Sequence, residues 1–316
     1  MFLPVPPELF FTKNDKEDPR LGDIFKPHAA EYGAQDFVLL GYPDDEGIRL
    51  NGGRVGAALA PDKIRQFLYK MTVPENYFQQ LKKSRQFLDY GNLQIAGDIS
   101  LRHLTALKTL STLYSFNSKI ISLGGGHDYG YPDGAAFIQF YSGIARPKPL
   151  IINLDAHLDV RSAAKGLNSG TPFYRLKTDF GDKFNLLEIG LQPQCNSVFH
   201  WKWAKEHGIE TVSLEEIENT DWQAVYQNKL IQDLKPHTPV LISFDIDALI
   251  ASEAGGCSQA WMTGLRLADC LKFLRYIYEK SDTRGLGIYE VSPPLDRDFQ
   301  TSKTAALLIH HFLFRN

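Results

Sequence analysis

In the run IINLDAHLDVR, Ile151 to Arg161, the polar side chains Asp155, His157, Asp159 and Arg161 stand at every second position directly after an apolar stretch. Side chains at alternate positions of an extended segment point the same way, so Asp155, His157 and Asp159 are expected to project together if extended geometry persists past the strand end. Carboxylates that close repel, and each must take up a proton unless a cation lies between them. Asp245 and Asp247 in SFDID repeat the pattern after a second apolar run, and His127 in GGGHD follows a third. Four aspartates and two imidazoles are more donors than one tetrahedral zinc takes. The oxygen-rich set suits a pair of Mn²⁺ ions bridged by some of the carboxylates. Metals paired roughly 3.5–4 Å apart lower the pKa of a shared water and supply a hydroxide nucleophile near neutral pH.

A lone Asp after a strand is ordinarily a helix cap or turn former, so the metal reading rests on recurrence at three strand ends. The other histidines, at 28, 103, 200, 207, 237, 310 and 311, have no such company and read as structural. SLGGGHDYG lacks both the Walker pattern and the GxGxxG spacing; its glycines are expected to let the backbone pass close to the metal pair. No GxSxG nucleophile elbow is present.

These motifs need elements to hold them. From Asp36 onward, strand-like runs (FVLLGY, KIISLGGG, PLIINLDAH, NLLEIGL, ETVSL, PVLISFDID, RGLGIYEV) alternate with segments of helical period such as APDKIRQFLYKM, LRHLTALKTLSTLYSF, DGAAFIQFYSG, RLADCLKFLRYIYEK and KTAALLIHHFLF. Such alternation predicts an α/β fold with a mostly parallel sheet covered by helices on both faces. The segment from Leu93 to Ile99 reads as loop. The polar motifs sit where strand-like runs end, and ligand sites of open α/β sheets lie beyond the carboxyl ends of their strands. Residues 36–316 are read as one domain and residues 1–35 as an N-terminal arm packed on it, because no linker, charge block or repeat interrupts the pattern.

The 316 residues carry a formal charge of -3 and no Lys/Arg run, so neither a nucleic acid nor an anionic membrane is an expected partner. MFLPVPPELF has no basic n-region and is too short for a signal peptide or a membrane span. Three cysteines without a CxxC pair fit a reducing cytoplasm. Cys195 and Cys257 both follow strand ends; a redox-sensitive disulfide between them is one reading and two unrelated rim thiols the other. Cys270, within a helical segment, reads as core.

GGGHD, DAHLDVR, SFDID and GIYEVSP, in that order, together with GYPDDEGIRLNGGRVGAALAPDKIR, resemble the signature segments of the arginase–agmatinase–formiminoglutamase (ureohydrolase) family. The resemblance covers most of the chain from Asp36 on and implies an arginase-like three-layer α/β/α fold with two Mn²⁺ per subunit. It implies that His127 and Asp159 bind one ion, that His157 and Asp247 bind the other, and that Asp155 and Asp245 bridge them. Glu290 matches the glutamate that holds the substrate's cationic nitrogen. The implied chemistry is hydrolysis of a C–N bond by metal-bound hydroxide, with Asp159 relaying its proton to the leaving nitrogen.

Within the family, Ser169 stands where arginases and agmatinases carry a histidine, and Ile250-Ala251 replaces their Asp-Pro, while SGTPF resembles the loop of formiminoglutamases. Arg161, where arginases have a neutral Asn, suits bidentate binding of a carboxylate. The implied substrate is N-formimino-L-glutamate, cleaved to L-glutamate and formamide in histidine degradation. Arg161, Arg49, Arg54, Asn51 and Ser169 are the expected substrate-binding residues, with loop-bracing ion pairs to Asp44, Asp45 or Glu46 as the alternative use of Arg49 and Arg54. A guanidino-acid hydrolase and a catalytically silent scaffold are the competing readings. The family further implies a homo-oligomer, trimer or hexamer, by symmetric packing.

Overall fold

A computed structural model describes residues 2–27, 37–75, 77, 86–143, 147–230 and 232–316. The boundary expected at 35/36, and His28, lie outside the described residues. The strands are β1 (Phe2–Leu3), β2 (Lys26–Pro27), β3 (Phe37–Gly41), β4 (Phe87–Leu93), β5 (Lys119–Leu123), β6 (Leu150–Leu154), β7 (Asn185–Leu191), β8 (Glu210–Ser213), β9 (Pro239–Asp245) and β10 (Asp282–Tyr289). Among the described residues they form one sheet in the order β1-β4-β3-β5-β10-β9-β6-β7-β8, with β2 also on β4. Every pairing is parallel except that of β1 with β4.

The longer helices are α1 (Ala60–Leu68), α2 (Ile99–Ser115), α3 (Gly130–Ser142), α4 (Pro172–Phe180), α5 (Val198–Glu206), α6 (Leu267–Lys280) and α7 (Gln300–Arg315). Successive strand residues feed opposite faces, which is why the interior strands read as unbroken apolar runs. Leu39, Ile152 and Ile242 pack with α1, α6 and α7 on one side. Val38, Ile151 and Leu241 pack with α2, α3, α4 and α5 on the other. The result is the three-layer α/β/α arrangement that the alternation predicted. Among the described residues no helix is long and apolar enough to cross a membrane.

Two elements depart from the sequence reading. The N-terminal segment contributes β1 and β2 to the sheet rather than only lying on it. β4 was absent from the expected strands, because FLDYGNL is broken by Asp89, Gly91 and Asn92. Those residues are polar for the sake of one fully buried cation. Asp89 accepts two hydrogen bonds from the Arg65 guanidinium, at 2.7 and 2.9 Å, while Asn92 Oδ1 (2.6 Å), the Gly91 carbonyl (2.9 Å) and Asp62 Oδ1 (3.2 Å) take its remaining donors. Tyr69 also donates its hydroxyl to Asp89.

This network ties α1 to β4. Asp89→Ala would strand a buried guanidinium and is expected to cost about 3–5 kcal/mol in urea unfolding, whereas Arg65→Met with Asp89→Leu should cost much less. Equal losses in both variants would show that the pair contributes packing alone.

Candidate metal centre

The polar motifs converge beyond the carboxyl ends of β5, β6, β9 and β10. Asp155, directly after β6, and Asp245, the last residue of β9, each fold the next polar residue back by the same device. Asp155 Oδ1 accepts the backbone N–H of His157 at 2.7 Å, and Asp245 Oδ1 accepts that of Asp247 at 2.9 Å. These are Asx turns, which bend the chain sharply. The expected extended geometry therefore stops at the strand end, and Asp159 returns to the site through a left-handed backbone, φ 47°. Glu290, just past β10, is also left-handed at φ 66°. Each costs about 1–3 kcal/mol for a residue with a β-carbon, and such positions gather at functional sites.

The donors fall into two clusters whose facing atoms all lie within 4.8 Å of one another: His127, Asp155, Asp159 and Asp245 in one, Asp155, His157 and Asp247 in the other. Asp155 belongs to both. His127 Nδ1 stands 3.1 Å from Asp155, 3.0 Å from Asp159 and 3.2 Å from Asp245. It is nevertheless buried without a hydrogen-bond partner, since it faces the space among the three carboxylates rather than any one of them. His157 Nδ1 lies 3.4 Å from Asp155 and 3.2 Å from Asp247, whose Oδ1 is likewise buried and unpartnered. The other imidazole nitrogen of His127, Nε2, meets Ser243 Oγ at 2.9 Å, which leaves Nδ1 free to bind inward.

The electrostatics show a site in want of positive charge. Burial, then the neighbouring acids, hold Asp245 and Glu290 well above the usual carboxylate range and raise Asp159 and Asp247. Burial opposes the charged imidazoles, yet Asp155, Asp159 and Asp245 hold His127 well above its ordinary value, and Asp247 and Asp155 do the same for His157. Asp155 alone is lowered: burial works against its charge, but the positive charge of the two imidazoles beside it, His127 and His157, prevails. Oxygen donors around two imidazoles fit hard or borderline divalent cations, and a cation between the clusters would relieve this repulsion.

His157, Asp159, Asp245 and Asp247 of these clusters line a cavity of about 260 Å³. Asn51, Arg161 and Ser169 line it as expected. Asn51 Nδ2 donates to Ser169 Oγ at 3.1 Å, joining the loops after β3 and β6. Gly170 gives Arg161 its path: a β-carbon there would lie 2.6 Å from Arg161 Cδ. Glu290 also lines the cavity, and its Oε1 accepts the backbone N–H of His127 at 3.0 Å.

Two expected substrate residues lie elsewhere. Arg49 is spent on Glu46, at 2.5 and 2.9 Å, and Arg54 donates to the carbonyls of Cys257 and Ser258, so neither lines the cavity. Arg49 thus takes the ion-pair alternative, and Arg54 braces a loop through carbonyls instead of acids. The three thiols are free. Cys195 lines the cavity, but Cys257 is buried and turns its Sγ to the Ala254 carbonyl, so the suggested disulfide is not formed. The glycines of GGGHD also serve a different purpose: a β-carbon on Gly125 would collide with the Asp44 carbonyl, and one on Gly126 with Asp128. They admit the loop after β3. Gln194, Ser258, Gln259 and Trp261 line the cavity without any signal in the sequence. Their turns follow β7 and β9, and neutral side chains in loops form no pattern to read.

A three-layer α/β fold with two joined donor clusters at its strand ends defines a class of protein built to hold a pair of divalent cations. The Arginase family model matches residues 35–314. The chain is 30% identical over 287 residues to formimidoylglutamase of Legionella pneumophila (strain Paris), covering 88% of this chain and 85% of that one. It is 26% identical to the crystal structure of formimidoylglutamase from Bacillus subtilis subsp. subtilis str. 168, with TM-score 0.84 over 96% of this chain and 94% of that one. It is 25% identical to the crystal structure of Trypanosoma cruzi formiminoglutamase with Mn²⁺₂, with TM-score 0.81 over 94% and 98% of the two chains. This chain belongs to the arginase family.

Two clusters sharing Asp155 lead to a stoichiometric expectation. Metal analysis after loading and desalting should find two divalent ions per chain, close to one in His157→Ala, and none retained in Asp155→Ala. Full occupancy in Asp155→Ala would show that the clusters do not share that carboxylate.

Proposed function

We propose that this protein hydrolyses N-formimino-L-glutamate to L-glutamate and formamide with two Mn²⁺ ions per subunit. The observation that carries the substrate reading is Arg161. It lines the cavity, and among the described residues its guanidinium has no ion pair or side-chain hydrogen bond. A free planar cation in the same cavity as donors that would hold two metal ions suits a ligand with an amidine at one end and carboxylates at the other. The relatives named formimidoylglutamase and formiminoglutamase, one of them with Mn²⁺₂, support the same substrate and metal.

Manganese held by His127, Asp155, Asp159 and Asp245 and by Asp155, His157 and Asp247 would supply a hydroxide nucleophile at neutral pH. Asp159, which lines the cavity, would take the proton of the attacking water and deliver it to the glutamate nitrogen as the C–N bond breaks. Glu290 would accept a hydrogen bond from the cationic formimino nitrogen, its carboxylate held in orientation by the His127 N–H. A bound amidinium would offset the burial and the Asp245 charge that together disfavour ionised Glu290. Asn51 and Ser169, already bonded to each other, would orient the rest of the substrate near Arg161.

The reading carries a setting with it: a step of histidine degradation, in the cytoplasm, by a homo-oligomer with residues 36–316 as its catalytic domain. Three free thiols support a reducing compartment.

A substrate panel tests the proposal. Metal-stripped protein given Mn²⁺ should release formamide and glutamate from N-formimino-L-glutamate and leave arginine, agmatine and guanidinobutyrate unchanged. Arg161→Ala should lower kcat/KM roughly 10- to 100-fold, the loss of one charged hydrogen-bonding partner. Preference for a guanidino acid would move the enzyme to another branch, and silence on every substrate would favour a non-catalytic scaffold.

A further inference from the structure

One register row crosses five strands just below the donor clusters and carries polar side chains on four of them. Parallel register aligns Glu188 of β7 with Asn153 of β6, Asn153 with Ser243 of β9, Ser243 with Gly287 of β10, and Gly287 with Ser122 of β5. Register partners in a parallel sheet share a face, so Glu188, Asn153, Ser243 and Ser122, with Gly287 between the two serines, form a polar shelf within an otherwise apolar layer. Ser243 already has a task at His127. Glu188, an acid with no exposure, does not.

Glu188 Oε2 accepts a hydrogen bond from Asn153 Nδ2 at 2.7 Å. Asn153 Nδ2 also reaches Asp155 Oδ2, at 3.2 Å, and Asp155 is the carboxylate common to both clusters. Both neighbours of Nδ2 are acceptors, which settles which way the amide points. Two atoms of the pair are left buried without a partner: Glu188 Oε1 and Asn153 Oδ1. A proton on Oε1 lets the acid donate to Oδ1 while Oε2 accepts from Nδ2, closing a ring that satisfies both atoms.

We infer that Glu188 is a positioning residue for the metal centre: as a neutral carboxylic acid paired with Asn153, it locks the amide so that its second N–H steers Asp155. Burial, with the charges of Asp155 and Asp159, holds the Glu188 carboxyl well above the usual range and favours the protonated form. An ionised Glu188 would leave Asn153 Oδ1 without a donor and place a further negative charge beneath a site already crowded with them. The inference rests on the proposed manganese site, since only a bound ion needs Asp155 aimed.

Glu188→Gln separates the hydrogen-bond role from the charge, because a glutamine amide can make both bonds of the neutral acid. Mn²⁺ affinity, read by chelator competition, is expected within about twofold of the parent in Glu188→Gln and 10- to 100-fold weaker in Glu188→Met, the usual range for outer partners of a metal ligand. Asn153→Ala, which deletes the donor, should weaken binding likewise and serves if Glu188→Met does not fold. The infrared difference spectrum of metal-free parent against Glu188→Gln should show the carbonyl stretch of a protonated carboxyl group. Parent-like affinity in both Glu188→Met and Asn153→Ala, equal losses in Glu188→Gln and Glu188→Met, or absence of that band would each overturn the inference. A parent protein that binds no manganese would instead overturn the proposed function, and the infrared band would still decide the state of the pair.

Discussion

Mutual repulsion among buried carboxylates is the constraint on which the rest of this structure depends. Asp155, Asp159, Asp245, Asp247 and Glu290 meet at the sheet's edge with two imidazoles among them. Like charges at such distances in a poorly hydrated space are costly, and the protein alone relieves that cost only by protonating some groups. The unpartnered Nδ1 of His127, facing three carboxylate oxygens, marks where a stronger remedy belongs. Folding and metal binding are thereby linked, because ions that bind the native chain alone stabilise it by mass action.

The fold meets that constraint with short, local devices. Paired Asx turns bring His157 and Asp247 back over the strand ends, and left-handed backbones aim Asp159 and Glu290. Gly125 lets the loop after β3 close against the glycine-rich turn, and Gly170 lets the Arg161 side chain pass close beside it. None of these devices is a large element. The sheet supplies a rigid edge, and a few residues beyond it convert strand direction into donor direction.

Much of this could be read from the chain before its fold was known. Parallel strands buried on both faces leave apolar runs, so the interior strands were legible, and acids and imidazoles at three run ends pointed to a paired metal site. β4 escaped because its polarity answers to Arg65, a partner 24 positions away from Asp89 that periodicity cannot reveal. Arg49 and Arg54 looked like substrate ligands because charge in a loop near a site is ambiguous until its neighbours are known; Glu46 and two carbonyls decided otherwise. Gln194, Gln259 and Trp261 entered the cavity through loop geometry alone. The alternation argument for DAHLD named residues that do converge, but for an incomplete reason, since a turn rather than continued extension brings them together.

The shelf from Glu188 to Ser122 divides the sheet along its strands. Toward the amino ends the interior is apolar, and a protein core there can exchange one aliphatic residue for another as long as volume is kept. At the shelf that freedom ends, because each polar atom needs its particular partner. Above it, the cavity walls are loops, which accept insertion and replacement readily. A lineage descending from this chain therefore has two places to vary, the lower core and the outer loops, separated by a band that varies little. Substrate preference can drift in such a protein while its reaction chemistry stays put.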